Sequence, residues 1–371
     1  MKIGILTFHS QLNYGGVLQC WALQTALEKM GHEVVVIDRE FEHQIRSYTP
    51  IFKGWGFARW VKFFVKLSLN RPDALRVVRY VRTVRFVRKY LHLTSYSFKN
   101  WKDAPKNLDV DAIVVGSDQV WNAVWNDLSV YTLEHVPDIP AIGYAISLGM
   151  TSLPCGSMPM YMAAAKRFSS VSVRETESMA LLRTAGINAV HVVDPTLLVS
   201  HSDVEKCTRG GLVCYFIDSS LLDQENIDLL DGFRCKTGIP VQIFTQKLPQ
   251  STLDSKGIRM RYSAGPLEFY KTMAAARYVV SDSFHALMFA CVFGKPISLV
   301  YPREAEKKHM FSRLREFSSS YVRGKCIYKR VDEILDAIAA DNAIEYDYHG
   351  INILKTSSLK WLEKSIESTH K

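Results

Sequence analysis

The sequence lacks several features that would assign it to a common functional class. Its seven cysteines are scattered and include no C-x-x-C pair, which argues against a disulfide framework and against a zinc site. No apolar run approaches the roughly 18 residues needed to span a bilayer. The first residues contain one lysine and no small-residue cleavage site, so we expect no signal peptide and a cytoplasmic protein.

Repeats of solenoid period and low-complexity tracts are also absent, and no G-x-G-x-x-G loop follows the first predicted strand. What is present is a globular composition, 47% hydrophobic and 22% charged, and 371 residues exceed one ordinary core. The net charge of +9 favours an anionic partner, such as a nucleotide, a phosphorylated metabolite, a nucleic acid or an anionic lipid.

Strand and helix patterns alternate twice along the chain. The first series contains the strand-like stretches KIGILTF, EVVVID, DAIVVGS, AIGYAIS, SVSVR and AVHVVD, and the second contains GLVCYFID, IPVQIFTQ, YVVSDS and PISLVY. This alternation predicts two doubly wound, Rossmann-like α/β domains. We place them at residues 1–205 and 206–350. The remaining residues, 351–371, contain a last helix that can pack back on the first domain.

One segment interrupts the alternation. Residues 53–102 contain thirteen Lys or Arg and a single acid, Asp73, and the early part interleaves aromatic residues with the cations. We interpret residues 52–102 as a helical insertion. The pattern fits either core aromatics with snorkelling cations, or contact of residues 52–90 with an anionic membrane surface or acceptor. Nucleic acid is disfavoured because no recognisable binding module accompanies the charge.

Polar side chains gather where predicted strands end, which is where open α/β sheets bind ligands. In HSQLNYGGVLQ, two glycines allow close approach of a ligand and three side chains can bond sugar hydroxyls: Gly15, Gly16, Asn13, Tyr14 and Gln19. GSDQVWN combines a carboxylate, two amides and an aromatic platform, which suits a sugar: Asp118, Gln119, Asn122 and Trp121. The structural alternatives are an ordinary βα turn and a helix start capped by the aspartate.

Two further strand ends carry cationic groups. Arg174 in SVRETES can grip a carboxylate or phosphate bidentately, or form an ordinary salt bridge with a glutamate. In VVSDSFHALMFACVFGKPI, His285 follows the predicted N-cap Ser283 on an otherwise apolar helix, where free N–H groups attract a phosphate. The positive helix end also lowers the pKa of an imidazole, which favours proton transfer near neutral pH. A structural core histidine is the alternative.

Five of these stretches together resemble the polysaccharide pyruvyl transferase family: NYGGVLQCWALQTAL, GSDQVWN, SVRE, VVDPTLL (192–198) and SDSFHALMFACVFGKP. The resemblance spans roughly residues 1–300 and implies a glycosyltransferase-B-like fold. It also implies transfer of the enolpyruvyl unit of phosphoenolpyruvate to a sugar of a surface-polysaccharide precursor, usually forming a cyclic pyruvate ketal and releasing phosphate. In that pattern His285 is catalytic, and the Phe284–His285 turn and Arg174 face the donor.

One departure from the family pattern concerns the donor. Many members carry an arginine two residues before the histidine, where this chain has Ser283, and Lys247 or Arg313 are candidates for the missing cation. Asp118 is the candidate for binding or deprotonating the acceptor. Ketal formation requires neither a metal nor a cofactor beyond the donor, and the D-x-D pair at 109–111 opens a strand at the end away from the expected cleft.

Two other functions stay open at this point. A glycosyltransferase of the same architecture would use a nucleotide sugar, with the diphosphate on the His285 helix; the donor that protects the protein from heat separates the two enzymes. A non-catalytic membrane or nucleic-acid adaptor would depend on the basic segment, and deleting that segment would then abolish all function. If the acceptor is lipid-linked, the same segment would dock the enzyme on the inner face of a membrane.

Overall fold

The computed structural model describes residues 1–39, 71–105, 107–134, 136, 138–199, 210–246, 257–301, 311–342 and 344–370. Lys247 and residues 52–70 of the predicted insertion lie outside these ranges. The described residues form two parallel sheets with helices on both faces. The predicted fold class, α/β with two doubly wound Rossmann-like halves, is confirmed.

The first sheet contains parallel strands in the order β3-β2-β1-β4-β5-β6-β7. Most of its interior strand residues are apolar and buried, because helices cover both faces of the sheet. The order reverses between β1 and β4, which is the switch point where such sheets form a crevice. The strands are β1 (Lys2–Leu6), β2 (Glu33–Arg39), β3 (Leu93–Phe98), β4 (Ala112–Val115), β5 (Ala141–Ile146), β6 (Ser170–Val173) and β7 (Val190–His191).

The helices of the first half begin and end at recognisable signals. The side chain of Asn13 accepts a hydrogen bond from the Gly15 N–H and starts α1, and Gly31, with φ of +87°, follows its last turn. Asp194 caps the short α6 through the Thr196 N–H. The helices are α1 (Tyr14–Lys29), α2 (Arg71–Tyr90), α3 (Leu128–Tyr131), α4 (Met158–Arg167), α5 (Thr176–Thr184) and α6 (Pro195–Leu198).

The second sheet repeats the design in the order β10-β9-β8-β11-β12-β14. Its strands are β8 (Leu212–Phe216), β9 (Val241–Thr245), β10 (Arg259–Met260), β11 (Tyr278–Ser281), β12 (Ile297–Val300) and β14 (Ile327–Tyr328); β13 (Val322–Arg323) pairs antiparallel with β15 (Glu345–Tyr346). The helices are α7 (Gln224–Thr237), α8 (Pro266–Ala275), α9 (Phe284–Val292), α10 (Ser312–Tyr321), α11 (Val331–Ala339) and α12 (Tyr348–Glu367).

The last helix, α12, returns to the first sheet. Ser358 accepts a hydrogen bond from the Val193 N–H over 3.0 Å, and the rings of Trp361 and Tyr144 lie 6.3 Å apart. One apolar cluster runs from the first half through α6 and α9 into the second half. This connection, together with two facing Rossmann-like sheets, is the glycosyltransferase-B-like arrangement. No helix within the described ranges is long and apolar enough to cross a membrane.

Tyr14 ties the two halves together. Its ring leaves the first turn of α1, stacks on Phe269 with centroids 4.5 Å apart, and its hydroxyl donates to the Ala264 carbonyl over 3.0 Å. The side chain is 1% exposed. The prediction that Tyr14 binds the acceptor is therefore wrong, because its ring is part of the packed seam between the domains.

Arg79 makes a second tie at the same seam. Its guanidinium lies 4.4 Å from the centroid of the Tyr14 ring and donates to the carbonyls of Leu12 and Thr245, one from each half. The residue is 2% exposed. The inner face of α2 is therefore structural, and Arg79 is unavailable to an anionic surface. The outer face of α2 remains exposed and carries Val78, Val81, Arg85, Arg88 and Lys89.

Candidate active site

His285 lies where the two halves meet. It is the second residue of α9, directly beyond the carboxyl end of β11, as predicted, although the Ser283 side chain makes no capping hydrogen bond. The imidazole faces the first turn of α1 so closely that a Cβ built on Gly15 would lie 2.2 Å from Nδ1. Only glycine fits at this position. The glycine thus serves the close approach of two protein elements rather than of a ligand.

Arg174 lies beside His285 and bridges three carboxylates. Its guanidinium donates to Asp194 over 2.7 Å, to Asp118 over 2.9 Å and to Glu175 over 3.3 Å. The arginine side chain is 0% exposed. Arg174 and Asp118 follow β6 and β4, and Asp194 follows β7, so parallel strands deliver all three to one edge of the sheet. The sequence alternative of a salt bridge with a glutamate is present in the Glu175 contact, whereas the pairing with Asp118 and Asp194 was not predicted.

The charges in this cluster hold each other ionised. Burial, the largest single cause, would raise the pKa of Asp118 and of Asp194, but the charge of Arg174 together with the other neighbouring charges and hydrogen bonds lowers both pKa values. For Arg174, burial opposes the charged form, but the carboxylates outweigh it and raise its pKa. Burial, the largest cause, lowers the pKa of His285 below its ordinary value of 6.5. The imidazole is therefore neutral at pH 7.

The Arg174 contact also selects the tautomer of His285. Arg174 Nη1 lies 3.4 Å from Nε2 of the imidazole. Because a guanidinium only donates, Nε2 must accept, and the ring proton resides on Nδ1, on the Gly15 side. Asp194 lies 3.9 Å from Nε2, beyond hydrogen-bond distance, and accepts from the same Arg174 Nη1, which it holds in place. The network therefore presents a neutral imidazole in one orientation.

Arg313 is the more accessible guanidinium of the site. Its side chain is 9% exposed, lies 5.4 Å from the Phe284 ring centroid and 3.8 Å from Glu175. With the Gln119 amide turned so that its oxygen faces Arg313, both terminal nitrogens donate to it over 2.8 Å. Burial, followed by repulsion from Arg174, lowers the pKa of Arg313 to about 10. A guanidinium in this setting gains from binding an anion.

Three other predicted acceptor residues have structural roles. Trp121 is 0% exposed and donates its indole N–H to the Tyr131 carbonyl, so it cannot act as a sugar platform. Gln19 is 0% exposed and donates to Thr7, and Asn122 is 2% exposed and accepts from the Val124 N–H. These three predictions are corrected, because the polar groups are used to satisfy buried partners.

Of the remaining predicted residues, Asn13 and Gly16 lie at the first turn of α1, beside the site, and Asp109 lies away from it. Asn13 caps α1, and a Cβ on Gly16 would lie 3.5 Å from Oδ2 of Asp118. Asp109 contacts Lys2 at the amino end of β1, away from the site, as the position of the D-x-D pair predicts. No group of three or more His, Cys, Asp or Glu side chains within the described ranges could hold a metal ion.

Sequence reasoning missed two carboxylates of the site. Asp194 and Glu175 lie in the stretches VVDPTLL and SVRE, but neither was assigned a role. The available signal was their position, because Asp194 follows β7 and Glu175 follows β6 by two residues. Polar residues that follow neighbouring parallel strands meet at one edge of the sheet.

The family model for polysaccharide pyruvyl transferase matches residues 13–301 of this chain. Among solved structures, the chain is similar to UDP-GlcNAc 2-epimerase from Neisseria meningitidis, with 10% identity, a TM-score of 0.49, and coverage of 99% of this chain and 100% of that one. It is also similar to a Streptomyces sp. SF2575 glycosyltransferase, with 14% identity, a TM-score of 0.41, and coverage of 97% and 96%. Such similarity carries no indication of a shared ligand. No curated protein matches the sequence.

Proposed function

Because the chain belongs to the polysaccharide pyruvyl transferase family, we propose that it transfers pyruvate from phosphoenolpyruvate to two hydroxyls of a sugar in a surface-polysaccharide precursor. The product is a pyruvate ketal, and phosphate is released. Phosphoenolpyruvate is the co-substrate, and we expect no further cofactor. The observation that carries this proposal is the neutral, oriented His285, which one domain contributes and the charged network of the other domain holds.

The reaction needs one net proton transfer to carbon. The methylene carbon of phosphoenolpyruvate gains a proton and becomes the methyl group, which makes C2 electrophilic. One acceptor hydroxyl adds to C2 and the C2–O bond to phosphate breaks. The second hydroxyl then adds and closes the ketal. Of the two hydroxyl protons, one ends on the methyl group and the other on the departing phosphate, so atoms and charge balance.

In this proposal His285 moves the proton. The unprotonated Nε2 can take a proton from an acceptor hydroxyl that displaces the long Arg174 contact, and return it to the methylene carbon. A bound trianionic donor raises the pKa of the nearby imidazole and thereby favours its protonated form. The first turns of α1 and α9 both meet at the ring, so their free N–H groups favour the departing phosphate.

The donor anion needs a cation within the site. Arg174 is engaged by three carboxylates, so we assign it to positioning His285 rather than to holding phosphoenolpyruvate. Arg313 lies at the same Phe284 ring, and we assign to it the donor-binding role of the arginine that many family members carry where this chain has Ser283. Among the described residues, hydrogen bonds to Asp118 go to Oδ1, which leaves Oδ2 to accept from an acceptor hydroxyl.

A lipid-linked acceptor fits the outer face of α2. Val78 is 40% exposed and Val81 43% exposed, and Arg85, Arg88 and Lys89 lie on the same exposed stripe. Apolar side chains between cations suit the headgroup region of an anionic bilayer. Replacing Arg85, Arg88 and Lys89 by Glu should reduce binding to phosphatidylserine vesicles and leave turnover of a short soluble acceptor unchanged. Equal vesicle binding would refute this role.

The donor is tested by thermal unfolding with phosphoenolpyruvate and, separately, with nucleotide sugars. A ligand that binds only the folded state raises the melting temperature in proportion to the logarithm of its concentration. We expect a rise with phosphoenolpyruvate, and no turnover by His285→Gln despite an intact fold. A rise only with a nucleotide sugar would replace this proposal by a glycosyltransferase of the same fold. Normal turnover by His285→Gln would remove the histidine from the mechanism.

A further inference from the structure

Four arginines converge beside the seam, outside the site around His285. Arg79 and Arg82 come from α2, Arg259 lies in β10, and Arg261 directly follows that strand. Arg82 donates to the Ser263 carbonyl over 3.1 Å, so α2 lies directly on the segment that leaves β10. The cluster therefore combines cations from both halves of the protein at the carboxyl end of β9.

Acids do not balance this cluster within the described residues. Glu268 lies 3.3 Å from Arg82 Nε, and it also accepts from the Gly265 N–H. The Nε atoms of Arg79 and Arg261 are buried and have no hydrogen-bond partner. A buried donor without an acceptor is costly and rare in native proteins, and an absent ligand is one of its recognised explanations.

The electrostatics agree with the hydrogen bonding. Burial, followed by repulsion from Arg259, lowers the pKa of Arg261, and Arg82 acts in the same direction. Arg79 is almost completely buried, with its guanidinium against the Tyr14 ring. An anion of two charges placed here would supply acceptors to the free donors and relieve the repulsion between the arginines.

The cluster lies close to the proposed chemistry. Arg79 packs on Tyr14, and the next residue along the chain, Gly15, contacts the His285 ring. The first turn of α1 therefore contacts the arginines through Tyr14 and the His285 ring through Gly15. An acceptor that passes this turn would have its reacting hydroxyls at His285 and its anionic group at the arginines.

We propose that Arg82, Arg259 and Arg261 bind the phosphate or diphosphate group through which the acceptor sugar is carried, and that the buried Arg79 adds its positive charge beside them. This rests on the proposed function for the identity of the acceptor, but the anion site itself does not. The acceptor is accordingly an activated sugar phosphate rather than a free polysaccharide end. Arg261 and Arg259 are the binding residues to test, because Arg79 also holds the seam.

The first test measures inorganic pyrophosphate binding in the presence of saturating phosphoenolpyruvate, which occupies the donor position. We expect pyrophosphate to raise the melting temperature further, and the paired change Arg259→Gln with Arg261→Gln to weaken its binding at least tenfold. Arg277→Gln is the matched control, because Arg277 is an exposed arginine at the opposite end of β11. Equal pyrophosphate binding by the paired variant and the wild type would overturn the proposal.

Two diphosphate ligands distinguish a lipid carrier of the acceptor sugar from a nucleotide carrier. Uridine diphosphate and farnesyl diphosphate share the diphosphate but differ in the attached group. Stronger binding of farnesyl diphosphate, lost in the paired variant, assigns a lipid carrier, whereas the reverse preference assigns a nucleotide carrier. If neither binding depends on Arg259 and Arg261, the assignment fails.

The outcome also separates this site from the donor assignment. Arginine-dependent pyrophosphate binding without any effect of phosphoenolpyruvate would keep the anion site and refute the donor. A phosphoenolpyruvate effect with arginine-independent pyrophosphate binding would keep the donor and refute the anion site. In turnover, the paired variant should raise KM for a diphosphate-linked acceptor and leave kcat unchanged; a fall in kcat alone would contradict a binding role.

Discussion

Two arginines near the seam between the domains lie in opposite surroundings. Arg174 is fully buried and all of its charge is matched by the three carboxylates around it. Arg261 is only partly covered, lies among other arginines and keeps a buried Nε without an acceptor. Residue type alone therefore does not identify an anion site. A guanidinium with satisfied donors orients its neighbours, and one with unsatisfied donors retains capacity for a ligand.

The largest difference between the two should be in stability. Replacing Arg174 by Met leaves three buried carboxylates without their cation and should lower the free energy of unfolding by about 3–5 kcal/mol. Replacing Arg261 by Gln removes no hydrogen bond of the described residues and should change it by less than about 0.5 kcal/mol. Urea unfolding measures both. Similar losses in the two variants would mean that the surroundings of these arginines do not differ energetically.

A second variant should displace the His285 ring from its contact with Arg174 without altering either residue. Gly15→Ala places a methyl group 2.2 Å from the ring of His285, so the ring or α1 must move. We expect a loss of about 1–3 kcal/mol of stability and roughly a hundredfold loss of turnover. Gly232→Ala is the matched control, since no atom lies within 4 Å of its added Cβ in α7. It should be neutral or stabilising. Normal turnover by Gly15→Ala would exclude a requirement for the observed ring position.

The smallest expected effect concerns pH. The pKa of His285 is lower in the folded protein than its ordinary value of 6.5, so below that pH the unfolded state binds the additional proton. Stability should fall as the pH drops below 6.5. This component should be absent from His285→Gln, which does not titrate. Identical pH dependence of unfolding in both proteins would contradict a neutral buried imidazole.

The sequence predicted elements better than side-chain roles. Strand and helix patterns depend on local periodicity. The sequence therefore predicted strands β4, β6 and β11 and the polar residues that follow each of them. Whether a polar or aromatic side chain faces a ligand or a partner depends on residues far away in the chain. Tyr14 is buried by a partner 250 residues away and Arg79 by one 166 residues away. No local pattern contains that information.

The same limit explains the aromatic and charged residues of the site. The stretch GSDQVWN has the composition of a sugar-binding loop, but its Trp121 packs in the core of the first half. Arg174 is a residue type that often binds anions, but Asp118 and Asp194 reach it from separate loops and Glu175 is its neighbour in the chain. The sequence shows that Ser283 stands where an arginine is common. That Arg313 lies at the Phe284 ring could be found only from the three-dimensional structure.

The most direct test is a calorimetric titration of phosphoenolpyruvate into the wild type, Arg313→Gln and Arg261→Gln. We expect binding to the wild type, roughly 10- to 100-fold weaker binding to Arg313→Gln, which loses a charge-assisted contact, and unchanged binding to Arg261→Gln. Absence of binding to the wild type would contradict the proposed donor. Loss of binding in Arg261→Gln with full binding in Arg313→Gln would contradict the assignment of the two arginines.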